Sequence, residues 1–139
     1  MMPTYSTGEG IAVGDWVRVF VPTLGVWHHG VVRRIFWVGH GFAVEVAHNM
    51  KSRGVTASDW YEFSGGGVVF LHRRHSTIIE VQASLARIEY NLGQPYHLFA
   101  QNCEHFASFV FSGKAESETL RTVGTIAACV LVIGWLASE

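Results

Sequence analysis

The feature that most constrains this chain is the order of its hydrophobic segments: strand-forming stretches fill the first half, two helical-period stretches follow, and an uncharged apolar run closes the sequence. Trp16-Val17-Arg18-Val19-Phe20-Val21 is built from β-branched and aromatic residues and predicts a strand. Pro22 and Gly25 mark a turn, and residues 26–37 predict a second strand around Val31, Val32, Ile35 and Phe36. Gly39-His40-Gly41 reads as a hairpin turn. Phe42 to Ala47 then alternates around Glu45, as a half-buried strand does. The stretch 49–58 reads as a polar loop, 59–63 as a short helical turn, 64–67 as a glycine-rich connector and 68–72 as a further strand.

Helical spacing begins at Ile79. Val81, Leu85, Ile88 and Leu92 share one face, while Gln82, Arg87, Glu89 and Asn91 lie largely off it. Gly93 and Pro95 supply a stop. A second helix is expected from Asn102, a good N-cap residue, with Cys103, Phe106, Ala107 and Val110 recurring at helical spacing and Gly113 at its end. Strands first and helices later predict an α+β fold with a mostly antiparallel sheet. A flexible segment 1–10, one domain over 11–113, a linker 114–121 and a hydrophobic tail 122–138 are the expected divisions.

Composition narrows the function. Of 139 residues 49% are hydrophobic and 15% charged, enough apolar material for one core and too much for a disordered chain. The net charge of -1 provides no field that would draw in nucleic acid, and the pairs Arg33-Arg34 and Arg73-Arg74 read as solvated faces. The two cysteines, Cys103 and Cys129, sit in a polar approach and an apolar run respectively, so no disulfide framework is expected and a reducing compartment fits. The first ten residues lack the charged and apolar regions of a secretory signal.

Two short segments carry chemistry. In Asn102-Cys103-Glu104-His105-Phe106, a cap at Asn102 puts Cys103 in the first turn of a helix, where free N–H groups favour a thiolate and can hold an oxyanion. A small buried core cysteine fits the same spacing. His105 faces another side of that helix and reads as a buried structural histidine, and Glu104 as support for the helix N-terminus. In Trp27-His28-His29-Gly30-Val31-Val32, the two histidines point to opposite faces of a strand, so only one can aim at Cys103. Gly30 leaves room for a neighbouring group. A histidine pair on a strand is also compatible with a purely structural role. His72 and His75 form too sparse a set for zinc, and neither a metal nor a cofactor is expected.

Taken together, His28-x-Gly30-Val31-Val32 and Asn102-Cys103-Glu104-His105-Phe106-Ala107 resemble the histidine box and the Asn-Cys motif of the lecithin-retinol-acyltransferase-like proteins. These include mammalian phospholipase/acyltransferases and certain picornaviral non-structural proteins. The resemblance covers roughly residues 12–113, and residues 92–99 share it. It implies a circularly permuted papain-like (NlpC/P60) fold, with histidine preceding cysteine in the chain. It implies Cys103 as nucleophile, His28 as base and Asn102 as support for the oxyanion region. His29 stands where the family usually has an aromatic, and Val32 where it often has tyrosine. A second histidine normally orients the first; His40 has the usual spacing but falls in the hairpin turn, so His48 takes the role, with an insertion in the hairpin. The implied activity is thiol acyl transfer or phospholipase A action on glycerophospholipid through a thioester. A non-catalytic module that binds a host or membrane protein is the second reading, and a cysteine peptidase or amidase the third.

The tail adds a location. Residues 122–137 carry no charge; as a helix they would span about 24 Å, slightly short of a bilayer core of about 30 Å. Arg121 on their N-terminal side predicts a domain on the cytoplasmic face of a membrane, anchored by this tail beside a phospholipid substrate. A buried C-terminal core helix is the alternative.

Overall fold

The computed structural model describes residues 4–5, 10–96 and 103–114. The elements are β1 (Thr4–Tyr5), β2 (Trp16–Val21), β3 (Val26–Trp37), β4 (Phe42–Met50), β5 (Gly54–Asp59), α1 (Trp60–Ser64), β6 (Val69–Arg73), α2 (Ile78–Asn91) and α3 (Cys103–Ser112). The strands form one sheet in the order β1-β6-β2-β3-β4-β5, and every neighbouring pair is antiparallel. The fold is therefore α+β, an antiparallel sheet followed by helices, as the order of patterns predicts.

Alternation along the strands gives the sheet two buried faces. Val31, Ala47 and Val55 face α2 and α3 and pack with Ile88, Phe106, Ala107 and Val110. Val17, Val19, Val32, Val46 and Val69 point the other way and pack with Trp60 and Phe63 of α1. The predicted face of α2 behaves accordingly: Ile88 is fully buried, and Leu85 and Leu92 pack against the same cluster.

Three local readings differ from the structure. The stretch 49–58, read as loop, contains β5, whose ladder to β4 runs from Met50↔Gly54 to Glu45↔Asp59. Its Thr, Ala and Ser residues lack a clear apolar alternation, and pairing with β4 overrides that weak local signal. The N-terminal stretch, read as flexible, includes Thr4–Tyr5, which pair with Val69 and Phe70. Arg74, read as part of a solvated pair, makes a bidentate contact with the buried Asp15 carboxylate at 2.7 and 2.9 Å.

The location at the cytoplasmic face of a membrane is corrected. Among the described residues no helix is long and apolar enough to cross one. The longest, α2, has 14 residues, about 21 Å at the helical rise against the roughly 20 residues that a crossing needs. It also carries Glu80, Arg87 and Glu89. The tail 122–138 lies outside the described residues, so no anchor is shown.

The chain entering α3 is tied to the sheet. Gly93 N–H donates to Val55 O and Val55 N–H to Gln94 O, both at 2.9 Å, and the Asn49 side chain donates to Tyr96 O at 3.1 Å. Gly54 permits this approach, since a Cβ there would lie 2.2 Å from Gln94 O.

Candidate functional site

Strand β3 organises the site because its two partners do not cover it equally. The ladder to β2 runs along the strand from Val26 to Val31, whereas the ladder to β4 begins only at Gly30, opposite His48. Val32 exchanges hydrogen bonds on the β2 side, so by alternation the carbonyl of Trp27 and the N–H of His29 point to the β4 side. There β4 has already left the ladder. The sulfur of Cys103, in the first turn of α3, meets both groups: Sγ donates to Trp27 O at 3.7 Å, and the His29 N–H points to the sulfur. A thiol thus stands where the next strand would have been, against backbone groups that need a partner.

His28 and His29 point to opposite faces of β3, on either side of the backbone groups that meet this sulfur. His28 Nε2 is 2.7 Å from His48 Nδ1, and His48 Nε2 is 2.7 Å from Ser58 Oγ. The cross-strand register produces this contact: Gly30 faces His48, and Ser58 on β5 lies beside Val46 on β4. Phe63 of α1 packs against both imidazoles, with ring centroids 5.3 Å from His28 and 5.4 Å from His48. Gly30 makes room for that ring. A Cβ there would lie 2.6 Å from a Val46 methyl and 2.8 Å from the Phe63 ring.

On the other side His29 accepts from Trp16 Nε1 at 2.9 Å, and its Nε2 is 3.4 Å from Glu104 Oε2. Burial dominates the electrostatics of all these groups. It lowers the pKa of His28 to about 4 and, with the charges of His28 and Arg53 adding to it, that of His48 to about 3. Burial also pushes the Cys103 thiol up; the Glu104 carboxylate adds to this, while N–H groups of His29, Cys103 and Glu104 oppose it. Near neutral pH the site therefore holds a thiol and neutral imidazoles.

That combination suits proton transfer from a thiol to a neutral imidazole during attack, rather than a resting ion pair. With Nε2 of His28 engaged by His48, Nδ1 is the nitrogen left to receive a proton. Donation from His28 Nε2–H to His48 Nδ1, and from His48 Nε2–H to Ser58 Oγ, is the tautomer pair that leaves His28 Nδ1 open; the reverse pair fits the same distances.

A comparison with family models matches the lecithin retinol acyltransferase model over residues 10–116. The chain belongs to the lecithin retinol acyltransferase family. The match spans β2 to α3 and so includes every residue of the cluster just described. No curated protein and no solved structure matches the chain.

Within this family member, the structure brings His28 and His48 into contact and sets Cys103 against the carbonyl of the residue before His28. His48 lies inside β4, not at its end. His40 lies in the hairpin turn beyond the Trp37↔Phe42 pair, on the order of 25 Å along the strand from His28 at the usual rise. Asn102 lies outside the described residues. His105 is buried at 1% exposure on α3.

Sequence reasoning missed Ser58, Phe63 and Trp16. The β-branched pair Val55-Thr56 after Gly54 was the available sign of a strand ending near Ser58; no sequence signal marks the other two. A cavity of about 300 Å³ opens elsewhere, lined by Arg73, His75, Glu80, Arg87 and Phe111 among others. It shares no residue with the His28, His48 and Cys103 cluster. Among the described residues no group of three His, Cys, Asp or Glu side chains is set to hold a metal ion.

Proposed function

We propose that this chain is a cysteine-dependent acyltransferase or phospholipase A that takes an acyl group from a glycerophospholipid ester. The observation that carries the reading is the hydrogen-bonded row His28–His48–Ser58, which starts one residue from the carbonyl holding the Cys103 sulfur. The family's name, which couples lecithin with acyl transfer, supports the substrate class. The order of the parts, histidine before cysteine, is what a circularly permuted papain-like domain would have.

Cys103 attacks the ester carbonyl as its S–H proton passes to His28. A carbon–sulfur bond forms, and the N–H groups of the first turn of α3 face the developing oxyanion. The carbon–oxygen bond then breaks and His28 returns the proton to the leaving alcohol, a lysophospholipid. Water or an amine attacks the thioester next, again with His28 as base, and gives a fatty acid or an amide. His48 holds the His28 ring and disperses the charge of its imidazolium toward Ser58.

One observation favours a second reading. Buried, apolar cysteines with raised pKa values are usually inert, and burial raises that of Cys103. A domain that keeps the motif and binds a protein partner would show this. Turnover separates the two. The full chain, incubated with a short-chain phosphatidylcholine, should release lysophospholipid in a manner lost in Cys103→Ala. Equal release by both proteins, or none by either, would favour the binding module.

A further inference from the structure

No step of that reaction uses His29, yet its side chain is buried at 2% exposure and joins two parts of the molecule. An indole nitrogen can only donate, so the 2.9 Å contact from Trp16 leaves His29 Nδ1 without a proton. The hydrogen of the neutral ring then lies on Nε2, the nitrogen 3.4 Å from Glu104 Oε2. Burial, then His72, Arg18 and His28, lower the pKa of His29 to about 3, which keeps the ring neutral at neutral pH. Glu104 follows Cys103 in the first turn of α3, and its carboxylate works against formation of the thiolate.

We propose that His29 is a positioning residue for the nucleophile: Trp16 fixes its ring, and its Nε2–H holds the Glu104 carboxylate, which pins the first turn of α3 to β3 and turns negative charge away from Cys103 Sγ. At 3.4 Å the contact is longer than a strong hydrogen bond, so orientation of the carboxylate matters more than bond strength. The inference rests on the reading of Cys103 as the nucleophile. The charged and titratable groups involved come from several elements: Glu104 on α3, His28 and His29 on β3, and Tyr96 before α3 couple to the thiol or its contacts, while Arg18 on β2 and His72 on β6 act on His29. Among these, Glu104 is the acidic group whose charge His29 can redirect.

The test is the pH profile of Cys103 alkylation by iodoacetamide, read by peptide-resolved mass spectrometry to separate it from Cys129. His29→Phe removes both polar contacts and should raise the apparent thiol pKa by about one unit, slowing alkylation at neutral pH about tenfold. Glu104→Gln should lower the apparent pKa, and in its background His29→Phe should have little further effect. His29→Gln, which can accept from Trp16 and donate to Glu104, should stay near the native profile. An unmoved profile in His29→Phe, or a shift undiminished in the Glu104→Gln background, would overturn the inference. If His29→Phe does not fold, Trp16→Phe, which removes the donor that fixes the His29 ring, takes its place: a raised thiol pKa supports the account and an unmoved profile overturns it. Acyl-enzyme formation by the native chain is measured in parallel. Its absence defeats the nucleophile reading itself, whereas its presence with unmoved profiles defeats this inference only.

Discussion

His28 and His29 are neighbours of one residue type on one strand, and the two sides of β3 give them different surroundings. On the first side an aromatic ring and two hydrogen-bonding neighbours form a row, His28–His48–Ser58, that can accept a proton and spread its charge. On the second side an indole donor and a carboxylate hold the imidazole as a fixed link between sheet and helix. Alternation along the strand makes the division; the partners decide the chemistry. A histidine pair in a sequence therefore says little until the register of the neighbouring strands is known.

The largest expected effect comes from breaking the first side. His28→Gln should lower kcat/KM by about 10²- to 10⁴-fold, the usual contribution of a general base. His29→Phe should cost only about tenfold. Measured rates in the opposite order would invert the assignment of the two sides.

Gly30→Ala tests the packing that holds the first side together. The new Cβ would press on Val46 and Phe63. Overpacking of this kind costs about 1–3 kcal/mol, to be read as a lower midpoint of denaturant unfolding. Because Phe63 lies against both imidazoles, activity should fall as well. An unchanged midpoint would mean that Phe63 is free to move and does not hold the histidines.

Acid should loosen both sides together. The pKa values of His28, His29 and His48 are lowered in the folded chain to about 4, about 3 and about 3, against about 6.5 when unfolded. Between these values the unfolded chain binds more protons, so stability is full above about pH 6.5 and falls as pH drops toward 3 to 4. Each histidine contributes at most about 1.4 kcal/mol per pH unit within its window. Unfolding free energies measured from pH 7 to 4 should decline accordingly. His48→Phe should flatten the slope, and a pH-independent stability would contradict the buried neutral imidazoles.

The smallest effect is expected at the end of the row. Ser58→Ala leaves His48 Nε2 without its hydroxyl partner, at a cost of about 1–3 kcal/mol in stability. It should reduce kcat by less than about tenfold. A loss as large as that of His28→Gln would make Ser58 part of the proton path instead of its terminus.

Much of this was legible in the sequence, and the rest was hidden for definite reasons. The strands at 16–21 and 26–37 and the helices after 78 and 103 announce themselves through β-branched runs and helical spacing, because these residues face a core. Cys103 and His28 stood out because their motifs are local. Strand β5 was not legible because Thr56, Ala57 and Ser58 gain their order from pairing with β4, not from their own propensity. With β5 unseen, Ser58 had no place. The link from Trp16 through His29 to Glu104 joins residues from three elements far apart in the chain. Only the register of β2 on β3 and the seat of α3 bring them together.

The central claim is that Cys103 forms a covalent acyl intermediate, and intact-mass analysis tests it most directly. The full chain is incubated with a short-chain phosphatidylcholine beside Cys103→Ala. The account predicts an added acyl mass on the native protein and none on the variant. No adduct on a folded native chain whose Cys103 also resists iodoacetamide would contradict it.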